Sequence, residues 1–208
     1  MAAFLFASRS RPITPVACAA MRIIRRSDFK TVPWKNGGGI THEVAKAEKD
    51  GQLLWRLSLA EVASDGPFSL FPGMARILTV IDGAGMDLRN AAGDIVHPVP
   101  PLTPVHFSGD EPLSGTLRAG KCLDFNLIYD PVKYAGTAEI VSSRFAGDGD
   151  PILNGLLCLN GTVTCGSQVL QRHDFASFAA GDPELSFASG APALWLLPTD
   201  ETWPPEID

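Results

Sequence analysis

Long helices, membrane-length apolar runs, paired cysteines and clustered cations are all missing from this 208-residue sequence. No apolar periodicity of 3.6 persists for three turns, and Asp28 caps at most a single turn over Phe29 to Val32, which excludes a helical bundle. No stretch approaches the roughly 20 apolar residues of a membrane-spanning helix, so no membrane partner is expected. Cys18, Cys122, Cys158 and Cys165 form no C-x-x-C pair. Cys122 and Cys158 lie in apolar runs where a reduced thiol behaves as a small hydrophobe, and the expected compartment is the cytoplasm. Charged residues make up only 19%, the net charge is −6, and Arg22, Arg25 and Arg26 form the only basic cluster. The positive footprint that phosphate backbones require is absent, so nucleic acid is not an expected partner.

What is present points to many short strands. Hydrophobic residues reach 45%, with 20 Gly and 17 Pro, the composition of a turn-rich globular chain. On a prior of roughly 150 residues per domain, the length suits one large domain or two small ones sharing a core. Residues 1–20 carry Phe4-Leu5-Phe6 before Arg9 and Arg11, and Pro12 and Pro15 interrupt the rest. A secretory signal has the opposite order, so this segment reads as a disordered extension or an upstream start rather than a targeting segment.

From Met21 onward the periodicity is mostly two. Leu53, Trp55, Leu57 and Leu59 share one face of a strand while Arg56, Ser58 and Ala60 share the other. Residues 121–129 repeat the pattern, with Leu123, Phe125, Leu127 and Tyr129 opposite Cys122, Asp124, Asn126 and Ile128. Further strands are predicted at 76–81, 115–117, 156–165, 175–178, 185–188 and 193–197. An internal echo then sets the architecture. Ile77 to Val80, Phe107-Ser108-Gly109-Asp110 and Leu123 to Tyr129 are matched by Leu156 to Leu159, Phe178-Ala179-Ala180-Gly181-Asp182 and Ala193 to Leu197. Short antiparallel strands, duplicated and without helices, predict an all-β, double jelly-roll barrel of the cupin type. The first barrel is placed at 21–135 and a structural second half at 136–208, whose strand at 193–197 supports the fold or a homodimer contact.

The run Pro33-Trp34-Lys35-Asn36-Gly37-Gly38-Gly39 is the most distinctive stretch. It reads either as an Asn36-Gly37 hairpin turn or as a loop whose amides face a ligand, with Trp34 and Lys35 favouring the latter. Together with Trp55-Arg56-Leu57-Ser58, Asp65 to Gly73, Arg76, Phe107 to Asp110 and Asp124-Phe125-Asn126, it resembles the HutD/Ves family over about residues 21–200. The resemblance implies a small cytoplasmic bacterial bicupin associated with histidine utilisation. It also implies binding of a metabolite such as urocanate or formylglutamate, without an established catalytic activity. One departure stands out: the family usually has Thr-Arg-Glu after the glycines, and this chain has Thr41-His42-Glu43.

Metal chemistry of the kind many cupins carry needs a His-x-His pair and a following acid, and His42, His97, His106 and His173 supply neither. No metal or other cofactor is expected; the alternative is a cluster formed only in space, such as His97 with His106. No Gly-x-Ser-x-Gly elbow is present, and no catalytic residue is assigned. Arg56 and Asp124 read as a buried ion pair between neighbouring strands or, alternatively, as a proton-transfer couple. The expected ligand site comprises Trp34, Lys35, Asn36, Gly38, Arg56, Ser58, Arg76, Asp124 and Asn126. In it Arg56, or Arg76 as the alternative, clamps a carboxylate, Ser58 and Asn126 orient polar groups, and Trp34 covers the mouth. Phe68 and Phe71 are assigned to plugging the barrel end; the alternative is that Phe68, Phe71 and Met74 together supply the apolar wall of the pocket. The function expected is a non-enzymatic sensor or regulator that binds a small carboxylate metabolite. The alternatives are a metal-independent isomerase or hydrolase and a pure interaction module with an empty barrel.

Overall fold

The computed structural model describes residues 21–134, 136–142, 155–178, 185–188 and 192–198. The extension at 1–20 and the 179–182 part of the repeat lie outside them. In the first half, one sheet has the spatial order Lys30–Pro33, Gly39–Lys49, Gln52–Val62, Cys122–Tyr129, Ala75–Asp82, Val105–Ser108. The other runs Gly66–Pro67, Ser114–Leu117, Met86–Arg89, Ile95–Val99. Counted along the chain from Gln52–Val62, the strands fall in the orders 1-8-3-6 and 2-7-4-5, the arrangement of an eight-stranded jelly roll.

The second half repeats this order. Gly136–Val141, Ala193–Pro198, Gly155–Cys158 and Phe175–Phe178 occupy positions 1-8-3-6, and Leu185–Phe187, Val163–Cys165 and Gln168–Leu170 occupy 7-4-5. The predicted strand over 156–165 divides in two at the Asn160-Gly161 turn, where Gly161 takes φ +67°. The molecule is therefore all-β, a double jelly roll of the cupin type.

Two local expectations are corrected. The turn near Asp28 is a short 3-10 segment, Arg26–Asp28, and the following Lys30–Pro33 is a strand paired with Gly39–Lys49. Thr31 and Val32 prefer the pleated conformation, and Pro33 ends the pairing. The boundary at residue 21 also moves, because Met21–Ile24 pairs antiparallel with Phe175–Phe178 in the second half's sheet. Met21 and Ile23 pack on that barrel's core cluster. Arg25 Nη1 reaches Asp174 Oδ2 at 2.8 Å, and the amide of Arg26 donates to Asp174 Oδ1 at 2.9 Å.

Three apolar clusters follow from the two-residue alternation. Trp55, Leu57, Leu59, Phe125, Leu127 and Tyr129, the apolar face read from the sequence, pack against Leu157, Phe175 and Leu194 between the halves. A second cluster, including Leu156, Cys158 and Val163, fills the second barrel. In the first barrel Leu78, Val80, Met86, Leu88 and Val99 fill one end. Each large apolar side chain withdrawn from water contributes roughly 1.5–3 kcal/mol, so the joint between the halves is itself a core. Cys122, Cys158 and Cys165 are buried.

Candidate functional site

The first barrel is not filled along its length. On the face opposite Trp55, Leu57 and Leu59, the Gln52–Val62 strand turns Arg56, Ser58 and Ala60 inward, and Cys122–Tyr129 turns Asp124 and Asn126 the same way. Register fixes their neighbours: Ser58 lies across from Asn126, Ala60 from Asp124 and Arg56 from Ile128. On the other side, Arg76 lies across from Ile128. These side chains line a cavity of about 560 Å³, closed by Trp34, Lys35, Asn36, Thr41, Phe68, Ser69 and Phe71.

The Gly-rich run builds the rim as a hairpin. Trp34 N donates to Gly39 O at 2.9 Å and Gly37 N to Trp34 O at 3.0 Å, with Gly37 at φ +71°. Gly38 does not line the cavity; its amide donates to Asn36 Oδ1 at 3.0 Å, and its carbonyl accepts from Ala63 N. The amides of Gly37 and Gly38 are thus consumed by the turn, which corrects the expectation that they face a ligand. Gly39 is required by close approach, since a Cβ there would stand 2.3 Å from Glu61 O and 2.9 Å from Trp34 Cε3. The Trp34 ring lies over that gap, its Nε1 donating to Thr41 Oγ1 at 2.7 Å. Lys35 stays exposed at the mouth.

Inside, the polar residues form a directional chain. Arg76 Nη2 donates to Asn126 Oδ1 at 2.8 Å, and Asn126 Nδ2 donates to Asp124 Oδ1. Arg76 Nη1 also reaches Ser69 O at 3.3 Å. Asp124 is 1% exposed, and its other oxygen, Oδ2, is buried without a partner. Burial pushes this carboxyl up to about 7, against the opposing pull of Arg76 and the Asn126 bond. Arg76 is brought down to about 10 by burial, partly offset by Asp124, and remains a cation at neutral pH.

The expected Arg56–Asp124 pair does not form. The register places the two residues four apart along the shared face, and Asp124 is held by Asn126 in the chain that begins at Arg76. Arg56 is half-buried, its Nε is buried without a partner, and burial lowers it while Glu43 acts in the opposite sense. Its guanidinium carbon stands 5.1 Å from the Phe71 ring centroid, and that of Arg76 lies 5.4 Å from Phe71, 5.3 Å from Phe68 and 4.9 Å from Phe107. Phe68 and Phe71 therefore form an aromatic wall for the cations, a larger role than plugging the barrel end. Met74 lines a different depression with His106 and Tyr129, which removes it from this wall.

The wall is held by the Phe107-to-Asp110 motif: Phe71 N donates to Gly109 O, Gly109 N to Met74 O, and Gly73 N to Asp110. Gly115 leaves space for Phe68, whose Cε2 would be 2.6 Å from a Cβ at that position. The sequence reading missed Thr41, Ser69, Ala60 and Pro67 as lining residues. Thr41 was signalled only by its alternation with Gly39 and Glu43.

No donor set for a cupin-type metal is present in this cavity, whose charged lining is Lys35, Arg56, Arg76 and Asp124. Among the described residues, no cluster of three or more His, Cys, Asp and Glu side chains is placed to hold an ion. His42 bonds Thr31 Oγ1 at 2.8 Å and Glu61 Oε1 at 3.1 Å, and it does not line the cavity. His97 bonds Glu111 Oε2 at 2.8 Å.

Comparison with known proteins agrees with this architecture. The HutD family model matches residues 26–195. An uncharacterized 21.2 kDa protein from the hutC 3' region of Pseudomonas putida is 39% identical over 132 residues, covering 59% of this chain and 69% of that protein. The structure of HutD from Pseudomonas fluorescens SBW25 is 32% identical, with a TM-score of 0.72 over 87% of this chain and 100% of that one. A conserved protein of unknown function from Pseudomonas aeruginosa PAO1 is 30% identical, with a TM-score of 0.74 over 88% and 100% of the two chains. Among the described residues no helix is long and apolar enough to cross a membrane. By the extent of the family match and the jelly-roll order of both halves, the chain belongs to the HutD family.

Proposed function

We propose that this chain is a non-enzymatic, cytoplasmic sensor or regulator of histidine utilisation whose first barrel binds a small carboxylate of the urocanate or formylglutamate type. The observation that carries the reading is Arg56: a half-buried guanidinium with an unpartnered Nε, set against Phe71 at the wall of a cavity. A planar cation drawn out of water gains most from a bidentate carboxylate, and the cavity holds Arg76 and Lys35 as further cations. Membership of the HutD family and the hutC-region location given for the P. putida relative support the pathway context.

A thermal-shift screen with urocanate, formylglutamate, histidine and formate tests this reading. Formate is included because the P. fluorescens HutD structure is described as a formate condition. A ligand at a hundred times its Kd stabilises by about 2.7 kcal/mol, a shift of several degrees. Arg56→Ala should abolish that shift while the variant still melts cooperatively. An unchanged shift in the variant, or no shift with any of the four, defeats the assignment.

One observation favours a second reading, a metal-independent isomerase or hydrolase. Asp124, at about 7, is poised to exchange a proton at neutral pH beside the cavity. Turnover of a stabilising compound, lost in Asp124→Asn, would select that reading over sensing.

A further inference from the structure

We propose that the cavity takes up its anion together with a proton: Asp124 stands as a neutral acid whose Oδ2–H donates to a carboxylate oxygen of the ligand, while Arg56 receives that carboxylate's charge. This rests on the carboxylate-binding reading above and adds to it how the site responds to pH.

The geometry is the starting point. Asp124 is among the residues that line the cavity; its Oδ1 is occupied by Asn126 Nδ2, which leaves Oδ2 as the free end of the Arg76–Asn126–Asp124 chain. Oδ2 is buried and without a partner. A fully buried carboxylate with one oxygen unsatisfied is costly, whereas the protonated acid has an O–H to give and needs an acceptor. The Asn126 bond fixes which oxygen carries the proton. A ligand carboxylate is such an acceptor, and its negative charge complements the Arg56 guanidinium.

The surroundings keep this balance close to neutral pH. Arg76 pulls Asp124 toward the ionised form, and Arg56 stands two residue pairs farther along the same face. Lys35 lies at the mouth, and Glu43 acts on Arg56. On Asp124's own strand, the Cys122 thiol is pushed up to about 12 and stays neutral. The opposing sheet offers Met86, Leu88 and Val99, and His97 is engaged by Glu111 beyond the Phe107 ring. The net result is a carboxyl at about 7 in the empty cavity. An anion settling on Arg56 cancels positive potential and drives the carboxyl further toward its protonated form, so ligand and proton reinforce one another.

The competent form falls with the protonated fraction of Asp124. With titration near 7, affinity drops about thirtyfold between pH 6 and pH 8.5. Formate and formylglutamate serve as probes because their carboxylates, with ordinary pKa values near 4, do not titrate in that range. Calorimetry of the full chain at pH 8, in two buffers of different ionisation enthalpy, should record close to one proton taken up per anion bound. Asp124→Asn, whose amide N–H replaces the acid O–H, should bind with affinity independent of pH and about thirtyfold tighter than wild type at pH 8.5.

Binding by wild type that is level from pH 6 to 8.5 with no proton uptake overturns the proposal and leaves carboxylate binding intact. Absence of binding by either probe at every pH defeats the carboxylate reading itself, and the proton coupling with it. The proton count is measured on the wild-type protein, so the test stands even where the variant does not fold.

Discussion

Replacing Asp124 by Asn should change the pH dependence of stability more than any other single substitution in the first barrel. The carboxyl titrates at about 7 in the folded chain against its ordinary 3.8. Because its folded value is raised, the native state holds a proton that the unfolded state has released. The resulting stabilisation is complete below pH 3.8 and is lost as pH rises to about 7, where the loss levels off. At a limiting slope of about 1.4 kcal/mol per pH unit, wild type loses about 4 kcal/mol across this window, and about 2 kcal/mol of it between pH 5 and pH 7. His173 works in the opposite sense, since burial holds it down at about 4, so its stabilisation grows as pH rises from about 4 to 6.5. That contribution is common to wild type and Asp124→Asn and cancels in their difference. Urea unfolding followed by tryptophan fluorescence at pH 5, 6, 7 and 8 gives the difference directly. The variant should gain about 2 kcal/mol on wild type between pH 5 and pH 7, then nearly level off. A difference constant within about 0.5 kcal/mol over that range would show Asp124 ionising as an exposed carboxyl does, and would refute the reasoning.

Two further substitutions separate the rim of the cavity from the frame. Gly39→Ala places a Cβ 2.3 Å from Glu61 O, a backbone atom that cannot swing away, and 2.9 Å from the Trp34 ring. It should cost about 1–3 kcal/mol in urea unfolding and weaken any ligand-induced shift by displacing Trp34. Asp174→Ala strands the amides of Arg26 and Gln171 and leaves the Arg25 guanidinium with only its Val169 carbonyl bond at the junction of Met21–Ile24 with the second half. Its stability should fall by about 1–3 kcal/mol, with ligand affinity in the first barrel unchanged in the same calorimetric titration.

Much of this site is written in a period of two. Arg56, Ser58, Asp124 and Asn126 sit at even positions opposite Leu, Trp and Phe, so alternation alone assigns them to one face, and the Ser58–Asn126 register brings the two strands' polar rows together. The duplication is equally legible: Val105–Ser108 and Phe175–Phe178 take the same place in the two halves, with starts 70 residues apart. What stayed hidden needed register or distance. Arg56 and Asp124 look like partners from their shared face, yet four residue positions separate them along the strands, and Asp124 Oδ1 is taken by Asn126, itself bound by Arg76. A strand-like pattern begins right after the glycines, but the extent of Gly39–Lys49 stayed hidden because His42, Lys46, Glu48 and Lys49 break the apolar alternation on a strand that runs out toward solvent. Met21–Ile24 pairs with residues about 150 positions later, which no local pattern reports.

The most direct test of carboxylate capture by Arg56 is a crystal structure of the protein soaked with whichever carboxylate stabilises it. The account predicts the carboxylate in the first barrel, bridged by two hydrogen bonds from the Arg56 guanidinium and within reach of Asp124 Oδ2. A ligand bound elsewhere on the chain, with Arg56 turned to bulk water, would contradict it.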